Sequence, residues 1–134
     1  MMVIERPGDL ERIAESKKWV MVYGRRKTGK SFLVENFVQF DEYFFIKSGG
    51  GVASKKNDKN ISYETFIEIV KRSLSENKTV VIDEFHRLGT EFLDFLHYTK
   101  KSGKVILISS TLFLSKKLIA GKSPILGLFS EVPI

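Results

Sequence analysis

Eight consecutive residues in the first quarter of the chain constrain its fold more than any other stretch. They read Gly24-Arg25-Arg26-Lys27-Thr28-Gly29-Lys30-Ser31 and match the pattern G-x-x-x-x-G-K-[ST] at every fixed position. The apolar residues 19–23 directly before them predict a short buried strand, and residues 31–38 predict a helix. The stretch therefore has the strand, turn and helix context that gives this pattern its meaning.

The chemistry of such a turn is the binding of phosphate. Gly24 and Gly29 let the chain fold around an anion without Cβ clashes, so backbone N–H groups of residues 27–31 can point inward. The helix N-terminus that follows adds its own unpaired N–H groups and its dipole. Lys30 would reach the β- and γ-phosphates of a nucleotide, and the Ser31 hydroxyl would ligate Mg²⁺. We therefore assign nucleotide contacts to residues 24–31 and to Phe32. A glycine-rich turn without a ligand is the alternative, and the flanking strand and helix disfavour it.

Two carboxylates follow a β-branched run later in the chain. Residues 79–82 predict a buried strand, and Asp83 and Glu84 extend it to residue 84. Apolar residues followed by such a pair form a Walker B pattern when a phosphate-binding turn precedes them. Asp83 would hold Mg²⁺, and Glu84 would orient or deprotonate the water that attacks the γ-phosphate. Without the preceding turn, an ordinary acid pair at a strand end would be the better interpretation.

Hydroxyl side chains follow the next predicted strand. Ser109, Ser110 and Thr111 come directly after it, and one of them could sense the γ-phosphate, with Ser110 as our catalytic candidate. Simple helix capping explains these residues equally well. The two histidines lack partners at metal-ligand spacing, and we place His86 beside the acidic pair and His97 on a helix surface.

Strands and helices alternate along the whole sequence. Apolar runs predict further strands over residues 43–46, 104–108 and 129–134. Helical spacing predicts helices that begin near Asp9, Ser31, Ser62, Gly89 and Leu112, the fourth of them ending at Gly103. Residues 47–60 predict a polar, mobile loop, and their three glycines favour flexibility over a second phosphate site. This alternation predicts an α/β fold with three layers, α/β/α, around a mainly parallel sheet whose polar strand ends meet at one edge.

Composition sets the broad class of the protein. With 134 residues and 43% hydrophobic content, one domain with its own core is expected over residues 1–134. The absence of cysteine and of any long apolar run favours the cytoplasm, with no membrane partner. A net charge of +6 permits attraction to nucleic acid, but the lysines are scattered, which favours a solvated surface.

Three segments together resemble the archaeal-type ATPase family, P-loop ATPases with an additional central strand and a catalytic glutamate, similar to the AAA+ and STAND groups. These segments are residues 24–26, 81–86 and 106–111. Residues 6–10 are similar to that family's R-E-x-E-L entry motif, with Pro7 in place of the usual glutamate, which implies an adenine-side wall near Val3, Ile4 and Arg6. The resemblance implies the strand order 5-1-4-3-2, the ligands ATP or ADP with Mg²⁺, and slow hydrolysis coupled to a conformational switch.

The same resemblance predicts an arginine near the end of the chain that this sequence lacks. Residues 123–127 are similar to the family's S-P-L-Y-G-R motif, but Leu128 stands where its arginine is expected. Members typically continue into a helical lid and a winged-helix domain, so we expect this chain to be an isolated nucleotide-binding core. An arginine that stabilises the transferring phosphoryl group would then come from Arg87, from a second copy of the chain, from a missing domain or from a protein partner.

Two other functions stay open from the sequence. A small-molecule phosphotransferase could use the same phosphate cradle, but it would need an arginine-rich lid, and the sequence has no arginine after Leu112. A nucleic-acid-binding module could use Lys55, Lys56 and Lys59 on the backbone of DNA or RNA, with a phosphate-binding but weakly active turn.

Overall fold

The computed structural model describes residues 19–23, 39–99, 102–109 and 129–133. Within these ranges seven strands form one sheet in the order β4-β3-β2-β5-β6-β1-β7. The strands are β1 (Trp19–Tyr23), β2 (Glu42–Ile46), β3 (Val52–Ser54), β4 (Lys59–Ile61), β5 (Thr79–Asp83), β6 (Lys104–Ser109) and β7 (Phe129–Pro133). Helix α1 (Tyr63–Ser75) precedes β5, and a 3₁₀ turn (Phe85–Arg87) and helix α2 (Thr90–Tyr98) follow it.

Five of these strands run parallel and form the centre of the sheet. They lie in the order β7-β1-β6-β5-β2, which reads 5-1-4-3-2 when only the parallel strands are numbered. The sheet as a whole is mixed, because β3 and β4 extend it beyond β2 as antiparallel strands. The mainly parallel sheet that we expected is therefore correct for its centre and incomplete at this edge.

The mobile loop predicted over residues 47–60 is wrong. Two tight turns and two short strands occupy most of this segment instead. The first turn closes with a hydrogen bond from Gly50 N–H to the Lys47 carbonyl, and Gly50 has a φ of 90°, which only glycine adopts easily. In the second turn, the Ser54 hydroxyl accepts from the Asn57 backbone N–H. The glycines and the polar residues therefore make hairpin turns in this edge of the sheet.

Both described helices pack on one face of the sheet. Phe66 of α1 contacts the Phe44 ring of β2 and the Phe92 ring of α2, with ring centroids 5.0 and 5.8 Å apart. The central strands also bury side chains of the opposite face, such as Val20 and Ile106. A sheet buried on both faces explains why these strands read as continuous apolar runs instead of alternating patterns.

The helix boundaries follow from their capping residues. Ser62 accepts a hydrogen bond from the Thr65 N–H, as expected for the first turn of α1. Helix α2 starts after Gly89 as predicted, but it ends at Tyr98, well before Gly103. No helix in the described part of the chain is long and apolar enough to cross a membrane.

Gly103 has a packing role instead of a capping role. A Cβ atom on this residue would lie 2.5 Å from the Lys78 carbonyl oxygen and 2.9 Å from the Leu74 Cα atom. The same Lys78 oxygen accepts a hydrogen bond from the Lys104 N–H at 3.0 Å. This bond at the start of β6 keeps the backbone of Gly103 close to Lys78.

Gly103→Ala should therefore lower the free energy of unfolding by about 1–3 kcal/mol, the usual cost of overpacking. The matched control is Gly49→Ala, because nothing lies within 4 Å of a Cβ atom there. Urea unfolding of both variants checks this, and equal midpoints would contradict it.

Candidate active site

The register of the central strands brings the two sequence motifs to one edge of the sheet. Asp83 of β5 pairs with Ile108 of β6, and Ile108 pairs with Val22 of β1. Neighbouring strands lie about 4.8 Å apart, so Asp83 and Val22 are at the same level and roughly 10 Å apart. Because Gly24 follows β1 directly, the chain enters the glycine-rich stretch at the edge where β5 ends at Asp83 and Glu84 follows it.

Asp83 is a buried carboxylate with a specific partner. Only 4% of the residue is exposed, and the Tyr43 hydroxyl donates a hydrogen bond to its Oδ2 atom at 2.7 Å. Tyr43 lies on β2 opposite Val81, two residues before Asp83, so both side chains project from the same face of the sheet. A hydrogen bond to a buried carboxylate stabilises its ionised form and fixes its orientation.

Glu84 leaves the strand in an unusual backbone conformation. Its φ and ψ are 59° and 42°, the left-handed region, so β5 ends at Asp83 and not at residue 84 as we predicted. Such a conformation costs a residue with a side chain about 1–2 kcal/mol. The Glu84 N–H still donates to the Ile108 carbonyl at 2.8 Å, which keeps the residue at the end of the β5–β6 pair. Strained residues of this kind concentrate at functional sites.

The Glu84 carboxylate lies between two nitrogen-bearing side chains of the 3₁₀ turn. His86 Nδ1 is 3.7 Å from its Oε1 atom, and Arg87 Nη2 is 3.6 Å from its Oε2 atom. Only 11% of the Glu84 side chain is exposed, so this carboxylate is at the surface of the sheet edge but not free in solvent. The sequence suggested Arg87 only as a source of the finger arginine, and its contact with Glu84 was missed because that contact depends on how the turn folds back.

The other predicted residues fall in different places. The Ser109 hydroxyl is fully buried and lies 2.9 Å from His86 Nδ1, which puts His86 beside the acidic pair as predicted. His97 is exposed on α2, also as predicted. Lys55, Lys56 and Lys59 are exposed around the β3–β4 turn, at the opposite end of the sheet from Asp83.

Several assigned residues lie outside the described ranges. They are the phosphate-binding stretch Gly24, Arg25, Arg26, Lys27, Thr28, Gly29, Lys30 and Ser31, together with Phe32, Ile4, Arg6 and Ser110. The predicted helices near Asp9, Ser31 and Leu112 and the segment that contains Leu128 also lie outside them.

A shallow groove borders the site next to Arg87. It lies between the β2–β3 turn, the start of α1 and the start of α2, and it is lined by Gly50, Tyr63, Arg87, Leu88, Gly89, Thr90 and Glu91. Partial burial raises the pKa of the Tyr63 hydroxyl above its ordinary value, and the Glu91 and Glu64 carboxylates raise it further. Tyr63 therefore presents a neutral hydroxyl to this groove near pH 7.

The sequence matches the model of a known protein family. A family model described as an AAA domain matches residues 16–125, which is most of the chain and includes both the glycine-rich stretch and the acidic pair. No curated protein matches the sequence significantly.

The Tyr43–Asp83 hydrogen bond generates a stability prediction. Tyr43→Phe should lower the free energy of unfolding by about 1–3 kcal/mol, because a buried carboxylate oxygen loses its hydrogen-bond donor. Tyr98→Phe is the control, since Tyr98 is 83% exposed and should behave like the parent. Urea unfolding measures both changes, and a Tyr43→Phe variant as stable as the control would show that the hydrogen bond contributes nothing.

Proposed function

Because the chain belongs to the AAA domain family of nucleotide-binding ATPases, we propose that it binds ATP with Mg²⁺ at the carboxyl edge of its sheet and hydrolyses it. The observation that carries the proposal is the register that aligns Asp83 with the end of β1. A phosphate cradle on residues 24–31 and a buried acid pair would then face the same ligand. In this proposal Lys30 binds the β- and γ-phosphates. Ile4 and Arg6 line the adenine side of the nucleotide, as the resemblance to the archaeal-type ATPases implies.

The described residues fit a magnesium ion at this edge. Mg²⁺ prefers oxygen ligands and is usually held by one or two carboxylates together with waters and substrate phosphates. Asp83 offers such a carboxylate, held in place by Tyr43. No group of three His, Cys, Asp or Glu side chains forms a metal cluster among the described residues. Asp83 and the Ser31 hydroxyl would hold the ion, which when bound neutralises charge on the transferring phosphoryl group.

Glu84 is the residue that we propose as general base. Its left-handed backbone turns its side chain away from the path that a continued strand would give it, beside the Ile108 carbonyl at the sheet edge. A largely buried carboxylate with a histidine and an arginine beside its two oxygens can orient an attacking water and accept its proton. Ser110, the predicted sensor, would act from the end of the neighbouring strand β6.

The lysines of the β3–β4 turn bear on the alternative of a nucleic-acid module. The turn that carries them follows Ser54 on the side of the amino end of β5, whereas Asp83 is the carboxyl end of that strand. Lys55 also lies over the Tyr43 ring, with its ammonium 5.2 Å from the ring centroid. Because Lys55 reaches the tyrosine that bonds Asp83, the lysines do not by themselves separate the two functions, and the match to the AAA domain family favours the ATPase.

Glu84→Gln should retain ATP binding but lose hydrolysis by a factor of roughly 10²–10⁴, because glutamine has nearly the same shape but cannot accept a proton from water. Asp83→Asn should weaken the dependence of binding on Mg²⁺. Phosphate release at saturating ATP measures the first effect, and a Mg²⁺ titration of nucleotide binding measures the second.

Glu68→Gln is the matched control for the first substitution, because Glu68 is exposed on α1 away from the site. Hydrolysis at the parent's rate in both Glu84→Gln and Glu68→Gln would contradict the assignment of the base.

The proposal also concerns the source of an arginine. A finger arginine contributes about 10³–10⁵ in turnover. Arg87 is engaged with Glu84 and with a backbone carbonyl, and Leu128 replaces the arginine of the resembling family. We therefore propose that a second copy or a protein partner supplies this group, and that the hydrolysis drives a conformational switch.

Turnover per chain should consequently be slow in dilute solution and rise with protein concentration or with an added partner. Phosphate release measured over a wide range of protein concentration checks this. Rapid turnover that is independent of concentration would show that one chain provides every group that the reaction needs.

A further inference from the structure

Each oxygen of the Glu84 carboxylate faces a different side chain. His86 Nδ1 is close to Oε1, and Arg87 Nη2 is close to Oε2. His86 is itself held by the Ser109 hydroxyl at 2.9 Å, so its ring is tied to the end of β6. Two side chains that have anchors of their own therefore flank the carboxylate.

Arg87 is anchored to the neighbouring strand on the other side. Its Nη1 atom donates a hydrogen bond to the Ile46 carbonyl at 3.0 Å, at the last residue of β2. Its guanidinium also lies over the Phe45 ring, 5.7 Å from the ring centroid. Only 19% of the side chain is exposed, so these contacts hold a partly desolvated cation in one place.

The two terminal nitrogens of Arg87 thus contact different groups. One binds the end of β2, and the other faces the acid that follows β5. A planar guanidinium is suited to such a bridge because its donors point in fixed directions, which a lysine ammonium cannot reproduce. The bridge connects two parallel strands at the edge where both end.

We infer that Arg87 is a positioning residue for Glu84, one that holds the carboxylate in the orientation that catalysis requires. This inference rests on the proposed function, since it takes Glu84 as the base. A glutamate side chain has three rotatable bonds, and the left-handed backbone fixes only where the side chain starts. The ion pair with Arg87 fixes the position of the carboxylate at the other end of the side chain. Misplacement of a catalytic group by about 1 Å can reduce a rate by roughly 10²-fold.

Two other roles for Arg87 predict different results. If the arginine only secured the 3₁₀ turn against β2, its loss would lower stability without a specific effect on the chemical step. If the ion pair restrained Glu84 in an unproductive orientation, its loss would raise turnover. The inferred positioning role predicts a lower kcat with little change in KM, because Arg87 acts on Glu84 and is not needed for the binding of ATP.

The first experiment compares Arg87→Met, Arg87→Lys and the control Arg72→Met, in which an exposed arginine of α1 is replaced. For Arg87→Met we expect kcat to fall by roughly tenfold or more, with KM for ATP within about twofold of the parent. Arg87→Lys should restore part of kcat, since it keeps the charge, and Arg72→Met should match the parent. Unchanged or higher kcat in Arg87→Met, or a loss confined to KM, would overturn the inference.

The same substitutions in a Glu84→Gln background separate this inference from the function on which it rests. Arg87→Met should cause no further loss of turnover there, because the carboxylate that it positions is gone. Parental turnover in Glu84→Gln would refute the proposed base itself. A slow Glu84→Gln combined with an unaffected Arg87→Met would refute only the positioning role.

A second readout needs no nucleotide. Urea unfolding of the parent, Arg87→Met, Glu84→Gln and the double variant forms a double-mutant cycle for the ion pair. The shifts in midpoint should be non-additive, with the double variant less destabilised than the sum of the single ones. Additive shifts would show that Arg87 and Glu84 do not interact and would overturn the inference even if turnover fell.

Discussion

The hydrogen bond from the Glu84 N–H to the Ile108 carbonyl is the interaction on which the proposed site depends most. It continues the β5–β6 pairing by one residue after β5 itself has ended at Asp83. Asp83 is thereby kept in the plane of the sheet, buried and bonded to Tyr43, while Glu84 turns into the left-handed region. Two adjacent acids consequently have different environments and can perform different tasks.

The cost of that turn is offset by contacts that converge on the same edge. The left-handed conformation of Glu84 costs about 1–2 kcal/mol, and the surrounding structure has to overdetermine it. The 3₁₀ turn that follows supplies this support, because its Arg87 N–H donates to the Glu84 carbonyl at 3.1 Å and its Arg87 side chain reaches β2. The result is an acid whose backbone is bonded to β6 and whose carboxylate is paired with an arginine that reaches β2.

Local pattern predicted the parts of the fold that depend on local chemistry. The β-branched runs at β5 and β6 and the Ser62 cap of α1 were predicted because each carries its signal within a few residues. The β3–β4 hairpin was missed, since β4 reads Lys-Asn-Ile and its glycine and lysine neighbours look like a mobile loop. An edge strand needs little apolar pattern, because one of its sides has no partner strand.

The site was predictable in its acids but not in the residues that support them. Asp83 and Glu84 belong to a pattern readable from sequence. Two contacts support them: Tyr43 bonds Asp83, and Arg87, which pairs with Glu84, bonds the Ile46 carbonyl. Each contact joins residues about 40 positions apart and exists only because β2 lies next to β5. Nothing in the sequence around Tyr43 distinguishes it from an ordinary core tyrosine, so its role follows only from the strand order.

The central claim is that one edge of the sheet binds a nucleoside triphosphate with its metal, and titration calorimetry with ATP and Mg²⁺ tests it most directly. The parent chain should bind ATP, Lys30→Ala should lose most of that affinity while remaining folded, and Lys56→Ala should bind like the parent because Lys56 lies at the opposite end of the sheet. A folded Lys30→Ala protein that binds ATP as tightly as Lys56→Ala would contradict the account.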